Sequence, residues 1–117
     1  MVNALEVARL RAEAKQVLPA KVAKLAQRFG FSYNKITVKN IRSRWGSCSS
    51  LGNLNFSIYL MYLPDELVDY VILHELCHTV HGNHGAHFWA MLNACTGGKA
   101  RQLAKRVREH GAKIFSA

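Results

Sequence analysis

The stretch HELCHTVHGNHGAH, His74 to His87, holds five of the chain's six histidines and follows directly on an apolar run containing Leu67, Val68, Val71 and Ile72. This conjunction restricts the fold more than any other feature of the sequence. His74 and His78 stand four residues apart. On a helix that spacing is a rise of about 6 Å and a turn of about 40° beyond one full revolution, so both imidazoles leave one face and can meet one ion. Glu75, one residue on from His74, points about 100° away, outside the ligand set but near a water bound to the metal. The chain must therefore present a helix that is apolar along its body and polar at its end. Half-buried imidazoles without a metal would need other hydrogen-bond partners.

A third ligand has four candidates: His81, His84, His87 and the distant His110. His81 continues the same helix, and one helical face does not easily wrap three ligands around a tetrahedral ion. Gly82 and Asn83 tolerate the left-handed conformation that ends a helix, so the chain is expected to reverse there and return His84 over the helix end. Five residues separate His78 from His84, as in HExxHxxGxxH sites, with the glycine displaced by one. His87 is then a neighbour in the cleft or a surface residue, and His81 a solvent-facing helix residue. Three imidazoles and a water form an open catalytic zinc site. Nickel and cobalt accept the same ligands, and one zinc ion is the expectation. Glu75 would be the general base that takes a proton from the attacking water.

Elsewhere, the period of apolar residues predicts a helix from Asn3 to Phe29 with Leu5, Ala8, Ala12, Val17 or Leu18, Val22, Leu25, Ala26 and Phe29 on its inner face, a kink or restart at Pro19, and a stop at Gly30. KITVKNIRSRW alternates as a half-buried strand; GSCSSLGN reads as a turn; LNFSIYLMYL reads as a second strand, paired as a hairpin or lying beside the first. Pro64, Asp65 and Glu66 mark the start of the histidine-bearing helix. A third helix is expected from about Ala86 to Cys95, closed by TGG, and a fourth over KARQLAKRVREHGAKIF with Leu103 and Val107 inward and Gly111 as its cap. Helix, strands, then helices, without βαβ alternation, imply an α+β fold with a short antiparallel or mixed sheet, in one domain over residues 1–117.

Charge is distributed unevenly. Residues 1–44 contain ten Lys or Arg and two Glu, residues 99–117 six and one, and residues 45–98 no Lys or Arg and four acids, within a net charge of +9. The basic flanks suit a polyanion, nucleic acid or nucleotide, or simply solvate two amphipathic helices. TGGK, Thr96 to Lys99, is too short for a phosphate-binding loop and reads as a helix stop. Three cysteines, Cys48, Cys77 and Cys95, with no CxxC pair, indicate reduced thiols in a cytoplasmic protein. No apolar run approaches the roughly 20 residues of a membrane span, and the N-terminus lacks the pattern of a signal peptide.

Three blocks, RWGSCSSLGNLNF (Arg44 to Phe56), LPDELVDYVILHELCH (Leu63 to His78) and NHGAHFW (Asn83 to Trp89), resemble the YgjP-like zinc metallopeptidase family, relatives of SprT-type domains. The resemblance implies a small zincin-like fold with His74, His78 and His84 as metal ligands, Glu75 as the catalytic residue, and a peptide or protein substrate. It also implies an upper edge strand beside the cleft, assigned to Asn53–Ser57, with Asn55, Arg44 and Trp45 as substrate-binding residues; Arg44 stacked on Trp45 to fix the turn is the structural alternative. Family members commonly have Ser and Pro, or a similar pair, after the third histidine, where this chain has Gly85 and Ala86; many bacterial members also carry a substantial N-terminal portion before the first helix that this chain is expected to lack. Two other activities compete with peptide hydrolysis: a nucleoside-triphosphate pyrophosphatase using the same site, and an SprT-like module acting near nucleic acid through Arg101, Lys105, Arg106 and Arg108.

Overall fold

Helix α1, Ala4–Phe29, opens with Asn3, whose side chain accepts a hydrogen bond from the Glu6 backbone N–H at 2.9 Å, and closes on Gly30 at φ 78°. These features belong to a computed structural model that describes residues 2–115. The helix runs through Pro19 without restarting. Leu18 and Val22, on either side of that proline, have no exposed surface, and their packing outweighs the roughly 3 kcal/mol that an interior proline costs. The inner face also differs from the sequence expectation. Leu10, Ala14, Leu18, Val22 and Ala26 are buried, whereas Ala8 and Ala12 face solvent and Leu5 is 82% exposed. A strict spacing of four advances about 40° per step, so the buried stripe winds around α1 as the helix passes first the 3-10 turn at Ile58–Tyr62 and then the next helix.

The sheet is mixed. Strand β1, Ile36–Lys39, runs parallel to β3, Leu54–Ser57, and β2, Gly46–Cys48, runs antiparallel to β3, giving the order β1-β3-β2. The strand expected at the cleft edge is therefore the middle one, and the edge belongs to β2, which lies inside the segment read as a turn. Gly46, Ser47 and Cys48 have weak strand propensity, and β2 forms because pairing with β3 imposes it. Ser49 and Gly52 close the connection, with Gly52 at φ 79°. The apolar run after β3 does not continue as a strand. The Ser57 hydroxyl accepts from the Tyr59 N–H at 3.1 Å and donates to the Ile41 carbonyl at 2.7 Å, capping the 3-10 turn.

Helix α2, Asp65–His78, lies at the centre, with Asp65 and Glu66 in its first turn. Lys21 of α1 pairs with Asp69 at 2.9 Å. Helix α3, Ala86–Cys95, ends at Gly97 and Gly98, both at positive φ, so the TGGK segment is a helix stop. Helix α4, Ala100–Phe115, buries Leu103 and Val107 and continues through Gly111, which is an interior residue and not a cap. A β-carbon at Gly111 would stand 3.3 Å from the Trp45 ring, and Phe115 packs 5.4 Å from Trp45 and 5.5 Å from Tyr59. No helix among the described residues is long and apolar enough to cross a membrane.

The observed stripe on α1 has a direct test. Leu10→Ala is expected to cost roughly 2–5 kcal/mol in urea unfolding, while Leu5→Ala shifts stability by no more than about 0.5 kcal/mol.

Candidate active site

Helix α2 stops at His78, four residues before the glycine expected to end it. The Thr79 hydroxyl donates to the Leu76 carbonyl at 2.6 Å, and the Val80 and His81 N–H groups close onto the Cys77 carbonyl at 3.1 and 2.9 Å. Neither Gly82 nor Asn83 adopts positive φ. The reversal is made instead by a run of bends, with the Asn83 side chain accepting from the Gly85 N–H at 3.1 Å just before α3 begins. His81 is consequently half-buried beyond the helix end, not a solvent-facing helix residue.

The reversal returns His84 over the end of α2. Its ring centroid lies 5.2 Å from that of His74 and 4.6 Å from that of His78, and the His74 and His78 centroids are 5.0 Å apart. One nitrogen from each imidazole falls within 4.8 Å of the others, and no further cluster of His, Cys, Asp and Glu with metal-ligand spacing occurs among the described residues. His87 stands outside this group, its ring stacked with that of His81 at 5.9 Å, and His110 is not a member of it. Phe88, with no exposed surface, forms the floor, its ring 5.0, 4.5 and 4.9 Å from His74, His78 and His84. In the sequence Phe88 stands as an apolar residue of α3 within the block NHGAHFW, with no role assigned to it; its place four residues after His84 is what brings it under the triad.

Hydrogen bonding fixes how the rings face one another. His78 Nδ1 lies 3.0 Å from the His81 carbonyl oxygen and must donate to it, which leaves the lone pair on Nε2. That Nε2 is 2.9 Å from His84 Nε2. Two imidazole nitrogens converging in this way need either a shared proton or a cation, so the set suits a metal ion. Withdrawal from solvent, followed by the neighbouring His78 and His74, holds His84 below the ordinary histidine pKa, which favours the neutral, ligating form. Glu75 is 5% exposed, with Oε2 3.3 Å from His74 Nδ1.

The triad opens into a cleft of about 420 Å³ walled by Arg44, Trp45 and Gly46 at the start of β2, Tyr70, His74 and Glu75 of α2, Trp89 of α3 and Arg108 of α4. Arg44 and Trp45 thus reach the cleft. Asn55 does not: on β3 it alternates with Leu54 and Phe56, faces the opposite side of the sheet, and donates to the Ser47 hydroxyl at 3.3 Å. Gly46 is a site residue that sequence reading passed over. A β-carbon there would stand 3.1 Å from both Glu75 Cγ and the Asn55 carbonyl oxygen and 3.2 Å from the Phe56 ring. Burial pushes the Tyr70 hydroxyl up to about 12, so it remains protonated. The three cysteines are free thiols, and burial, with a smaller effect from Cys95, pushes Cys77 up to about 12. The basic residues of α4 do not form one open strip: Arg106 pairs with Glu66, Arg101 stacks over Trp89 at 3.7 Å, and Arg108 lines the cleft.

The chain matches the YgjP-like, metallopeptidase domain family over residues 4–110. Among solved structures it is similar to the metallopeptidase zymogen abylysin of Pyrococcus abyssi, with a TM-score of 0.71 and 15% identity over 86% of this chain and 96% of that one. It is also similar to the metallopeptidase zymogen jannalysin of Methanocaldococcus jannaschii, with a TM-score of 0.58 and 23% identity over 74% and 94% of the two chains. At these identities the likeness is one of fold. No sequence among the curated proteins matches the chain.

Gly46→Val tests the close approach of β2 to α2. It is expected to destabilise the protein by about 1–3 kcal/mol through overpacking, read as a fall in the urea midpoint at unchanged slope.

Proposed function

The chain belongs to the YgjP-like, metallopeptidase domain family, and on that premise we propose that it hydrolyses peptide bonds with one zinc ion held by His74, His78 and His84 and with Glu75 as general base. The observation that carries this reading is the convergence of three imidazoles, with His78 held in the ligating tautomer by the His81 carbonyl, immediately beside a buried carboxylate. When bound, zinc supplies a nucleophile at neutral pH and polarises the scissile carbonyl.

The protein's own groups have separate tasks. Glu75 rests Oε2 against His74, which leaves Oε1 to accept a proton from the attacking water. As the C–N bond breaks, that proton passes from Glu75 to the leaving amine, so the carboxylate is regenerated. The buried setting of Glu75 keeps bulk water from competing for the proton.

Strand β2 supplies the substrate-aligning edge. Trp45, Ser47 and Ser49 stand opposite Ser57, Asn55 and Asn53 as the hydrogen-bonded pairs of the antiparallel ladder. Gly46 and Cys48 therefore turn their backbone N–H and C=O groups away from β3, towards the open edge. An extended peptide pairing there runs past Glu75, which packs against Gly46. Arg44 and Trp45, at the head of the same strand, are the first side chains such a peptide meets.

Metal analysis combined with a peptide-library assay tests the assignment. Glu75→Gln is expected to retain about one zinc per chain and lose hydrolysis by roughly 10²–10⁴-fold. His84→Ala should lose most of the metal, whereas His81→Ala and His87→Ala keep it. Retention of the metal by His84→Ala together with its loss from His87→Ala would remove His84 from the ligand set.

A further inference from the structure

We propose that Arg44 and Arg108 form a carboxylate-binding subsite in the cleft, so that the preferred substrate carries a carboxylate, from an acidic side chain or from the peptide's own C-terminus, within a few residues of the scissile bond. This deepens the peptidase reading and rests on it.

The first argument is charge balance. Two guanidinium groups and one side-chain carboxylate line the cleft. That carboxylate, Glu75, is buried, lies against His74 and is reserved for proton transfer. Neither Arg44 nor Arg108 forms an ion pair or a side-chain hydrogen bond among the described residues. Their neighbours do: Arg106 is neutralised by Glu66, and Arg42 and Arg101 lie over the rings of Phe115 and Trp89. The two cations that face the cleft thus have no protein ion-pair partner among the described residues.

The second argument is position. Residues 45–98, which supply β2, β3, α2 and α3, contain no Lys or Arg, so every cation in the cleft is brought from outside the catalytic segment. Arg44 arrives from the β1–β2 connection and Arg108 from α4, and they line the same cleft on separate elements. The same cleft is lined by apolar and aromatic side chains, Trp45, Val71, Trp89 and Val107, which lower the local dielectric and strengthen a charge-assisted hydrogen bond. A guanidinium fork matches a carboxylate in two parallel hydrogen bonds. Such a bond to a charged group contributes roughly 10-fold or more in affinity. A nucleic acid would need a continuous row of free cations, and α4 spends Arg101 and Arg106 on other partners.

The protein carries its own reporters, because both of its tryptophans, Trp45 and Trp89, line the cleft. Tryptophan fluorescence would be titrated with capped hexapeptides identical except for Glu, Gln or Lys at one position, and with the free-acid and amide forms of the Gln peptide. The same peptides would be assayed for cleavage with zinc-loaded protein. Wild type is expected to bind a carboxylate peptide about 10-fold more tightly than its neutral counterpart. A preference for Glu over Gln assigns the subsite to an acidic side chain, and a preference for acid over amide assigns it to the C-terminus. Arg44→Gln and Arg108→Gln should lower binding and kcat/KM for the carboxylate peptide several-fold more than for the neutral one, with Arg108→Lys recovering part of the difference and zinc content unchanged.

Equal binding of Glu and Gln peptides and of acid and amide forms would overturn the proposal. So would a preference that survives in both variants, or displacement of the Glu peptide by a short single-stranded DNA at lower concentration than by the peptide itself. Selective binding without cleavage of any peptide would instead uphold the subsite and overturn the peptidase reading.

Discussion

Helix α2 sets the terms for everything around it, because nine of its fourteen residues are buried while its C-terminal part carries His74, Glu75 and His78. Polar groups removed from water without partners cost several kcal/mol each. The fold answers this with local chemistry. The His81 carbonyl accepts from His78, the Glu75 carboxylate lies beside His74, and His84 returns so that its Nε2 meets that of His78. The early end of the helix is part of the same answer. Had α2 continued, His84 would lie six residues further along the axis, about 9 Å beyond His78, and the three imidazoles would never meet. Stopping at His78 and bending through residues 82–85 keeps the third imidazole close, and Phe88 beneath it shields the set from the interior side.

What was legible in the sequence follows from the range of the interaction responsible. The i, i+4 relation of His74 and His78 is local, as is the start of α2 at Asp65 and of α3 at Ala86, and each appears in the structure where the spacing put it. The expected chain reversal does bring His84 beside His74 and His78, although it uses an Asn83 side chain and bends in place of left-handed Gly82 or Asn83. The residues that were misread depend on distant partners. β2 is a strand only because β3 lies next to it, and Asn55 turns away from the cleft because β3 is central and its alternation is fixed by Leu54 and Phe56 packing inward. On α1, several alanines and leucines offer more than one helical stripe, and only the helix's neighbours choose Leu10 and Ala14 over Leu5, Ala8 and Ala12.

The uneven charge of the sequence also acquires a structural meaning. The segment from β2 to α3 supplies the whole histidine site, and it carries no Lys or Arg that would repel a cation bound there or pair with Glu75. Positive charge is confined to α1, to the stretch from Lys35 through β1 to Arg44, and to the stretch from Lys99 through α4. Most of it solvates those elements or is paired, locally as Arg9 is with Glu6, or across to α2 as Lys21 is with Asp69. Only where the flanks fold back over the histidine-bearing segment, at Arg44 and Arg108, does this charge reach the cleft.

Two glycines determine how closely those flanks approach. At Gly46 the strand comes within van der Waals contact of Glu75, and at Gly111 helix α4 does the same against Trp45. Gly46 was read within a turn and Gly111 as a helix cap, because a sequence displays a glycine's conformational freedom more readily than the space left by its missing side chain. Both are used here for that space. Trp45 sits between them in the wall, following Arg44 and touching α4 through Gly111 and Phe115. The width of the cleft is therefore set by close contacts between these elements, and the open edge of β2 lies against the Glu75 carboxylate. Preorganisation of this kind removes part of the ordering cost of binding an extended chain, and in a chain of 117 residues it is achieved by omitting two side chains.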